Sequence, residues 1–121
     1  MSKSLALAKT YLGQKVVLVI DRPLGSSHPN HNFVYEVNYG YVPDTRAPDG
    51  EALDAYFLGV EKPLAQAQGT CIAIIHRLND DDDKLIVVSG EVSLSNEAIR
   101  TKTRFQEQFF ESVIIREGGS H

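Results

Sequence analysis

Apolar positions change their spacing several times along the 121-residue chain, and each change marks an element boundary. The run Leu5-Ala-Leu-Ala-Lys-Thr-Tyr-Leu12 reads as a short helical arm that Gly13 ends. Lys15-Val-Val-Leu-Val-Ile20 is β-branched and unbroken after its lysine, which predicts a buried strand. From Asp21 to Asp54 the pattern becomes irregular, broken by Pro23, Gly25, Pro29, Gly40, Pro43, Pro48 and Gly50. Within that stretch Tyr35, Val37, Tyr39 and Tyr41 alternate with other residues, so a strand with a tyrosine face is expected there. Ala55 to Val60, Thr70 to His76 and Lys84 to Ser89 read as three further strands. Glu61-Lys-Pro63 forms a turn, and Asn79 with four aspartates lies between the last two strands. Ser95 is placed to cap a helix with Glu97 in its first turn. That helix should run to about Glu111 and bury a stripe of Ala98, Lys102, Phe105 and Phe109. Val113-Ile-Ile115 suggests a last short strand. The elements add up to a small β-barrel or strongly curved sheet with a helix packed on it.

Composition narrows this picture. About 42% of the residues are apolar, enough for one core in a chain of this length, so residues 1–121 are read as one domain. A formal net charge of −4 argues against a nucleic-acid binder, which needs a basic face to track phosphates. The single cysteine, Cys71, cannot form an intrachain disulfide and lies in an apolar run that places it in a buried strand. The N-terminal residues do not match a secretory signal, and no apolar stretch approaches the roughly 20 residues of a membrane span. A cytoplasmic protein without membrane partners is therefore expected.

Three acidic groups carry candidate chemistry. Asp49-Gly-Glu-Ala-Leu-Asp54 places carboxylates on a turn that runs into a strand, where they can face one cavity; an Asp-Gly turn with a solvated Glu51 is the plainer alternative. Asn79-Asp-Asp-Asp-Asp-Lys84 concentrates negative charge that a cation would relieve, though a solvated acidic loop explains it too. It is not an EF-hand loop, because the sixth position from Asp80 is Leu85 where the sharp turn requires glycine. Asp21 stands at a strand end. His28-Pro-Asn-His31 has a spacing that a transition metal could use, but no cysteine or third histidine is near in sequence; an exposed loop or phosphate contacts fit it better. Ser26 and Ser27 lack a nucleophile elbow, and no glycine-rich phosphate loop is present.

In order along the chain stand Ile20-Asp-Arg-Pro-Leu-Gly-Ser, Tyr35-Glu-Val-Asn-Tyr-Gly-Tyr-Val-Pro43, Asp49-Gly-Glu-Ala-Leu-Asp54 and Leu78-Asn-Asp-Asp-Asp-Asp-Lys-Leu85. This series resembles the family I soluble inorganic pyrophosphatases, as a short and divergent member. The resemblance covers about residues 15–90, with a weaker trace in the helix near 104–111. It implies an OB-like five-stranded β-barrel with a C-terminal helix packed on it, and Mg²⁺-dependent hydrolysis of pyrophosphate to two phosphates at the barrel mouth. It implies that Asp49, Asp54, Asp80 and Asp82 are metal ligands and that Asp21 acts through metal-bound water. Glu51 stands where the family has an aspartate that helps deprotonate the attacking water. Tyr39 and Lys84 would contact phosphate or tune the metal, and Tyr35 would line the site. Self-assembly is also implied, although no interface pattern is legible along the chain.

The match departs from the family in the phosphate-gripping residues. Between the first acidic residue and the tyrosine block the basic candidates are Arg22, His28 and His31, Glu36 replaces a proline, and a family Tyr-Lys pair falls on Phe109 and Phe110. Two alternatives stay open on these grounds: a hydrolase of another phosphoanhydride or phosphate ester, and a catalytically weak metal- or phosphate-binding module.

Overall fold

Strands that read alike in sequence differ in how many of their faces are covered, and that difference organises the computed structural model. It describes residues 3–43, 52–78, 82–90, 92–116 and 119–120. Among these, the elements in chain order are α1 (Lys3–Lys9), β1 (Lys15–Arg22), β2 (Asn38–Tyr41), β3 (Asp54–Leu58), β4 (Gln66–Arg77), β5 (Asp83–Val88), α2 (Asn96–Glu107), β6 (Ser112–Arg116) and β7 (Gly119–Ser120). The sheet order is β1-β2-β3-β5-β4-β6-β7, and β1 also pairs with β4, so β1, β2, β3, β5 and β4 close into a ring. This is the OB-like arrangement of five strands that the sequence resemblance implied. β3 and β5 run parallel, and the other pairs within the ring are antiparallel.

Alternate residues of β3, β4 and β5 serve two separate clusters, as the two-residue period of a strand dictates. Val16, Leu18 and Ile20 of β1 meet Ala55 and Phe57 of β3, Cys71 and Ile74 of β4 and Leu85 and Val87 of β5 in one cluster. β1 and β5 are not neighbours in the sheet yet both feed it, so this cluster fills the interior of the ring; Leu5 and Ala8 of α1 cover it. The intervening residues Tyr39, Tyr56, Leu58, Ala73, Ile75, Ile86 and Val88 form the second cluster on the opposite sheet face, beneath Ile99 and Phe105 of α2. β5 is thus buried at all six positions.

β1 differs from the expectation of a fully buried strand. Its burial alternates, and Val17 is 53% exposed, because among the described residues no element covers its outer face. The predicted tyrosine strand shrinks to four residues. Tyr35 precedes it, tethered by an isolated bridge between Ser27 and Val34. Gly40 is required in β2 by a close approach: a Cβ there would lie 1.9 Å from the Val19 carbonyl oxygen of β1. Asn38 is fully buried; its Oδ1 accepts from the Leu24 N–H at 3.0 Å and the Leu64 N–H at 3.1 Å, and its Nδ2 donates to the Lys62 carbonyl at 2.9 Å. One amide thereby fixes the loop after β1 against the loop after β3.

The helices are also shorter than predicted. α1 stops at Lys9 and tightens into i→i+3 turns up to Gly13, whose positive φ of 79° suits glycine and whose N–H donates to the Cys71 carbonyl at 2.8 Å. Ser95 caps α2 as expected, accepting from the Ala98 N–H at 3.1 Å. α2 ends at Glu107, and its buried face is Ile99, Thr103, Phe105, Gln106 and Glu107. Of the predicted stripe, Phe105 is buried, but Ala98, Lys102 and Phe109 are not on the buried face. The stripe followed helical spacing, whereas the helix also buries Gln106 and Glu107, polar side chains that have partners across the sheet. Cys71 is buried as expected, and burial pushes its thiol up to about 12.

Candidate active site

The second cluster does not stay apolar along its whole length. At one end the same strand faces turn polar: Asp54 precedes Tyr56 by two, Lys84 precedes Ile86 by two, and Arg77 follows Ile75 by two. The parallel register pairs Asp54 directly with Lys84, and the antiparallel register sets Tyr39 opposite Tyr56. Four side chains from four strands therefore meet at one end of one face.

Lys84 is the centre of this group. Its buried ammonium donates to Asp54 Oδ2 and to Asp82 Oδ2, both at 2.8 Å, and the Tyr39 hydroxyl donates to Asp54 Oδ2 at 2.9 Å. Burial works against the lysine charge, but the two carboxylates outweigh it and raise its pKa above the ordinary value. Burial, then the neighbouring Asp54 charge, pushes the Tyr39 phenol well above its usual range, so it stays a protonated donor.

A second chain of bonds runs behind it. Arg77 donates to Glu107 from Nε at 3.0 Å and from Nη2 at 2.7 Å, a two-pronged buried pair, while its guanidinium carbon lies 3.6 Å from the centroid of the Phe110 ring. Tyr56 donates to Glu107 at 2.6 Å, Gln106 Nε2 donates to the Tyr56 hydroxyl at 2.7 Å, and the Tyr35 hydroxyl donates to Gln106 Oε1 at 3.0 Å. A 3.5 Å contact from Arg77 to Asp82 joins this chain to the Lys84 group.

Both chains border a cavity of about 530 Å³. Its lining combines charged groups, Asp21, Arg22, Asp54, Lys84 and Arg77, with rings, His28, His31, Phe33, Phe109 and Phe110, and the two sets meet where the Arg77 guanidinium lies on Phe110. His28 lies 4.9 Å from Phe33 between ring centroids and is stacked on Tyr35 at 5.9 Å. Its Nδ1 accepts backbone N–H bonds from Asn30 at 3.0 Å and His31 at 3.2 Å. Burial, with the charges of His31 and Arg22, holds its pKa below the ordinary 6.5. Asp21 is shifted the other way, raised by burial despite a backbone hydrogen bond and Arg22.

Asp21, Arg22, His28, His31, Tyr35, Tyr39, Asp54 and Lys84 all line this cavity, and Asp82 adjoins it through Lys84. Asp49, Glu51 and Asp80 lie outside the described residues.

A family model of inorganic pyrophosphatase matches residues 13–114. The chain belongs to the inorganic pyrophosphatase family. Membership makes it a phosphoanhydride hydrolase. Solved inorganic pyrophosphatases have a similar fold at low identity. The enzyme of Ehrlichia chaffeensis is 15% identical with a TM-score of 0.65, and the match covers 84% of each chain. That of Helicobacter pylori is 16% identical with a TM-score of 0.62 over 85% of each chain, and that of Neisseria gonorrhoeae 20% identical with 0.59 over 89% of this chain and 83% of its own. A sequence comparison with curated proteins gives no match.

For a pyrophosphatase-family chain, Phe33, Tyr56, Arg77, Gln106 and Glu107 are cavity and network residues that sequence reading did not single out. A signal was present. Arg77 shares its strand face with Ala73 and Ile75, and Glu107 falls eight positions after the buried Ile99, on the same side of α2. Charged residues on two buried faces must pair. The family is generally metal-dependent, and the donor set suits a hard divalent cation: Asp54, Asp82 and Asp21 offer only carboxylate oxygens. Among the described residues no group of three His, Cys, Asp or Glu side chains is placed to hold a metal ion. The repulsion between Asp54 and Asp82, which by itself would call for a metal, is already met by Lys84.

Proposed function

We propose that the chain hydrolyses inorganic pyrophosphate to two phosphates with Mg²⁺ as its cofactor. The observation that carries this reading is the buried Lys84 ammonium held 2.8 Å from both Asp54 and Asp82 at the cavity wall. Asp49, Asp54, Asp80 and Asp82 would hold the cation. Mg²⁺ typically uses only one or two protein carboxylates and completes its shell with water and phosphate oxygens, so a partly exposed pair such as Asp54 and Asp82, of which Lys84 bonds one oxygen each, suits it. When bound it supplies positive charge against the phosphoryl oxygens and lowers the pKa of water.

The chain's own groups do the remaining work. Glu51 takes the proton of the attacking water, and Asp21, whose raised pKa brings it closer to neutrality, assists. Lys84 places a fixed charge beside the leaving phosphate. The Tyr39 phenol, held protonated, donates to Asp54 and orients that carboxylate. Arg22, His28, His31 and Tyr35 contact the substrate from the cavity walls. Fixed charges and dipoles of this kind act mainly by positioning and electrostatic stabilisation, which is what phosphoanhydride cleavage demands. The protein is read as one domain that works in the cytoplasm and self-assembles.

Phosphate release from pyrophosphate at millimolar Mg²⁺, repeated with a chelator and with Asp54→Asn, tests this. Release that needs Mg²⁺ and is lost in the variant is expected. Full activity in Asp54→Asn would remove Asp54 from the site, and no release from the unaltered protein would reject the reading. Mg²⁺ should also raise the melting temperature by mass action.

A further inference from the structure

The cavity is lined by charged groups and by aromatic rings, and its phenyl rings offer inorganic pyrophosphate no partner. Pyrophosphate is polar over its whole surface. Its negative charges are answered by Lys84 and Arg22, and by the cation that the carboxylates would hold. The rings pack on one another: Phe33 lies 6.2 Å from Phe109 between centroids with their planes 24° apart, and stacks on His31 at 6.0 Å. Phe109 is 63% exposed, an unusual state for a phenyl group that borders a cavity, and it keeps its ring surface available at the rim. A volume of about 530 Å³ falls in the range of sites for organic ligands several times larger than pyrophosphate.

We propose that the substrate class of this site is a nucleoside di- or triphosphate, with its phosphates on the charged wall and its base stacked against Phe109 and Phe33. This rests on the hydrolytic reading above. Every base has a π-face that aromatic side chains can stack on without regard to sequence. His28 supports the same face: with Nδ1 occupied by two backbone N–H donors, its remaining ring N–H is a neutral donor suited to a sugar or base acceptor. The reaction balances with water alone. The water oxygen bonds to the terminal phosphorus and the bond from that phosphorus to the bridging oxygen breaks. The bridging oxygen leaves on the shortened nucleotide, and the water's proton passes to a carboxylate and then to solvent.

The chain contains no tryptophan, so Phe109→Trp introduces a single indole reporter at the rim. Its fluorescence is followed at millimolar Mg²⁺ while the four common ribonucleoside diphosphates, pyrophosphate and inorganic tripolyphosphate are titrated. Phosphate release from each compound is measured for the unaltered protein, Phe109→Trp and Phe109→Ala. The expected result is quenching by nucleotides and not by the inorganic compounds. Phe109→Ala should raise the nucleotide KM by about tenfold, Phe109→Trp should restore it, and pyrophosphate turnover should stay within about twofold. Pyrophosphate cleavage without nucleotide quenching or cleavage would overturn the proposal and leave the simpler hydrolase intact. Equal losses on both substrates in Phe109→Ala, with a changed elution volume on size exclusion, would overturn it by making the ring wall a contact between copies of the chain. Nucleotide quenching with no phosphoanhydride cleaved would overturn the hydrolytic reading and uphold the nucleoside seat.

Discussion

The two sides of the ring are made by the same strands, yet they have different contents. The interior takes Leu18, Phe57, Ile74, Leu85 and Val87 and carries no charged side chain among its buried members. The α2 side takes the alternate residues and passes from Ile86 and Val88 to Tyr56, Glu107, Arg77 and finally Lys84 and Asp54. Apolar burial needs only volume and shape, so the interior can be filled from any strand. Buried charges need named partners at fixed distances, so the other face depends on strand register. The comparison teaches that stability and chemistry have been separated by parity along each strand.

Substitutions can break this separation. The largest effect is expected from Asp54→Asn, which should lower phosphate release by about 10²–10³-fold, with the fold intact by circular dichroism. Glu107→Ala should cost about 3–5 kcal/mol in denaturant unfolding, because it removes the two-pronged buried partner of the Arg77 guanidinium, and should also reduce turnover by loosening the wall beside Asp82. Leu85→Ala, on the interior side of the same strand as Lys84, should cost about 2–5 kcal/mol while the folded fraction keeps its specific activity. If Leu85→Ala altered turnover as much as Glu107→Ala does, the two faces would not be separate. The smallest effect concerns His28. Its folded-state pKa lies below 6.5, so the fold favours the neutral ring. The stability it contributes is therefore present above pH 6.5 and is lost as pH falls through that value towards the lower folded one. An NMR titration should place its midpoint below 6.5; a midpoint above it would remove His28 as a neutral donor.

The sequence disclosed the charged wall better than the ring wall. Asp54, Tyr39 and Lys84 sit in short motifs whose order along the chain carries the resemblance, and the strands at or beside them were predicted from the tyrosine alternation and from the runs Ala55–Val60 and Lys84–Ser89. β1 misled because an unbroken apolar run does not say which faces neighbours will cover; Val17 is exposed although it reads like Val87. The face of α2 misled because ranking by hydrophobicity discards Gln106 and Glu107, which are buried through bonds to Tyr35, Tyr56 and Arg77. Those partners are 71, 51 and 30 positions away, beyond any local window. The ring wall draws Phe33 and Phe109 from distant segments with no shared motif. Glu51, Asp49 and Asp80 were named from sequence and stay with the proposed mechanism.

The parallel register between β3 and β5 has a kinetic meaning. Asp54 and Lys84 are 30 residues apart, and they become neighbours only when those two strands, which no hairpin joins, have aligned. Pairings of this kind close large loops and form slowly compared with local turns and helices. Collapse and helix formation can thus be complete in a refolding chain that has no site. Recovery of turnover after dilution from denaturant should lag behind the far-ultraviolet signal, so that catalysis itself becomes the clock for the last long-range step in assembling the ring.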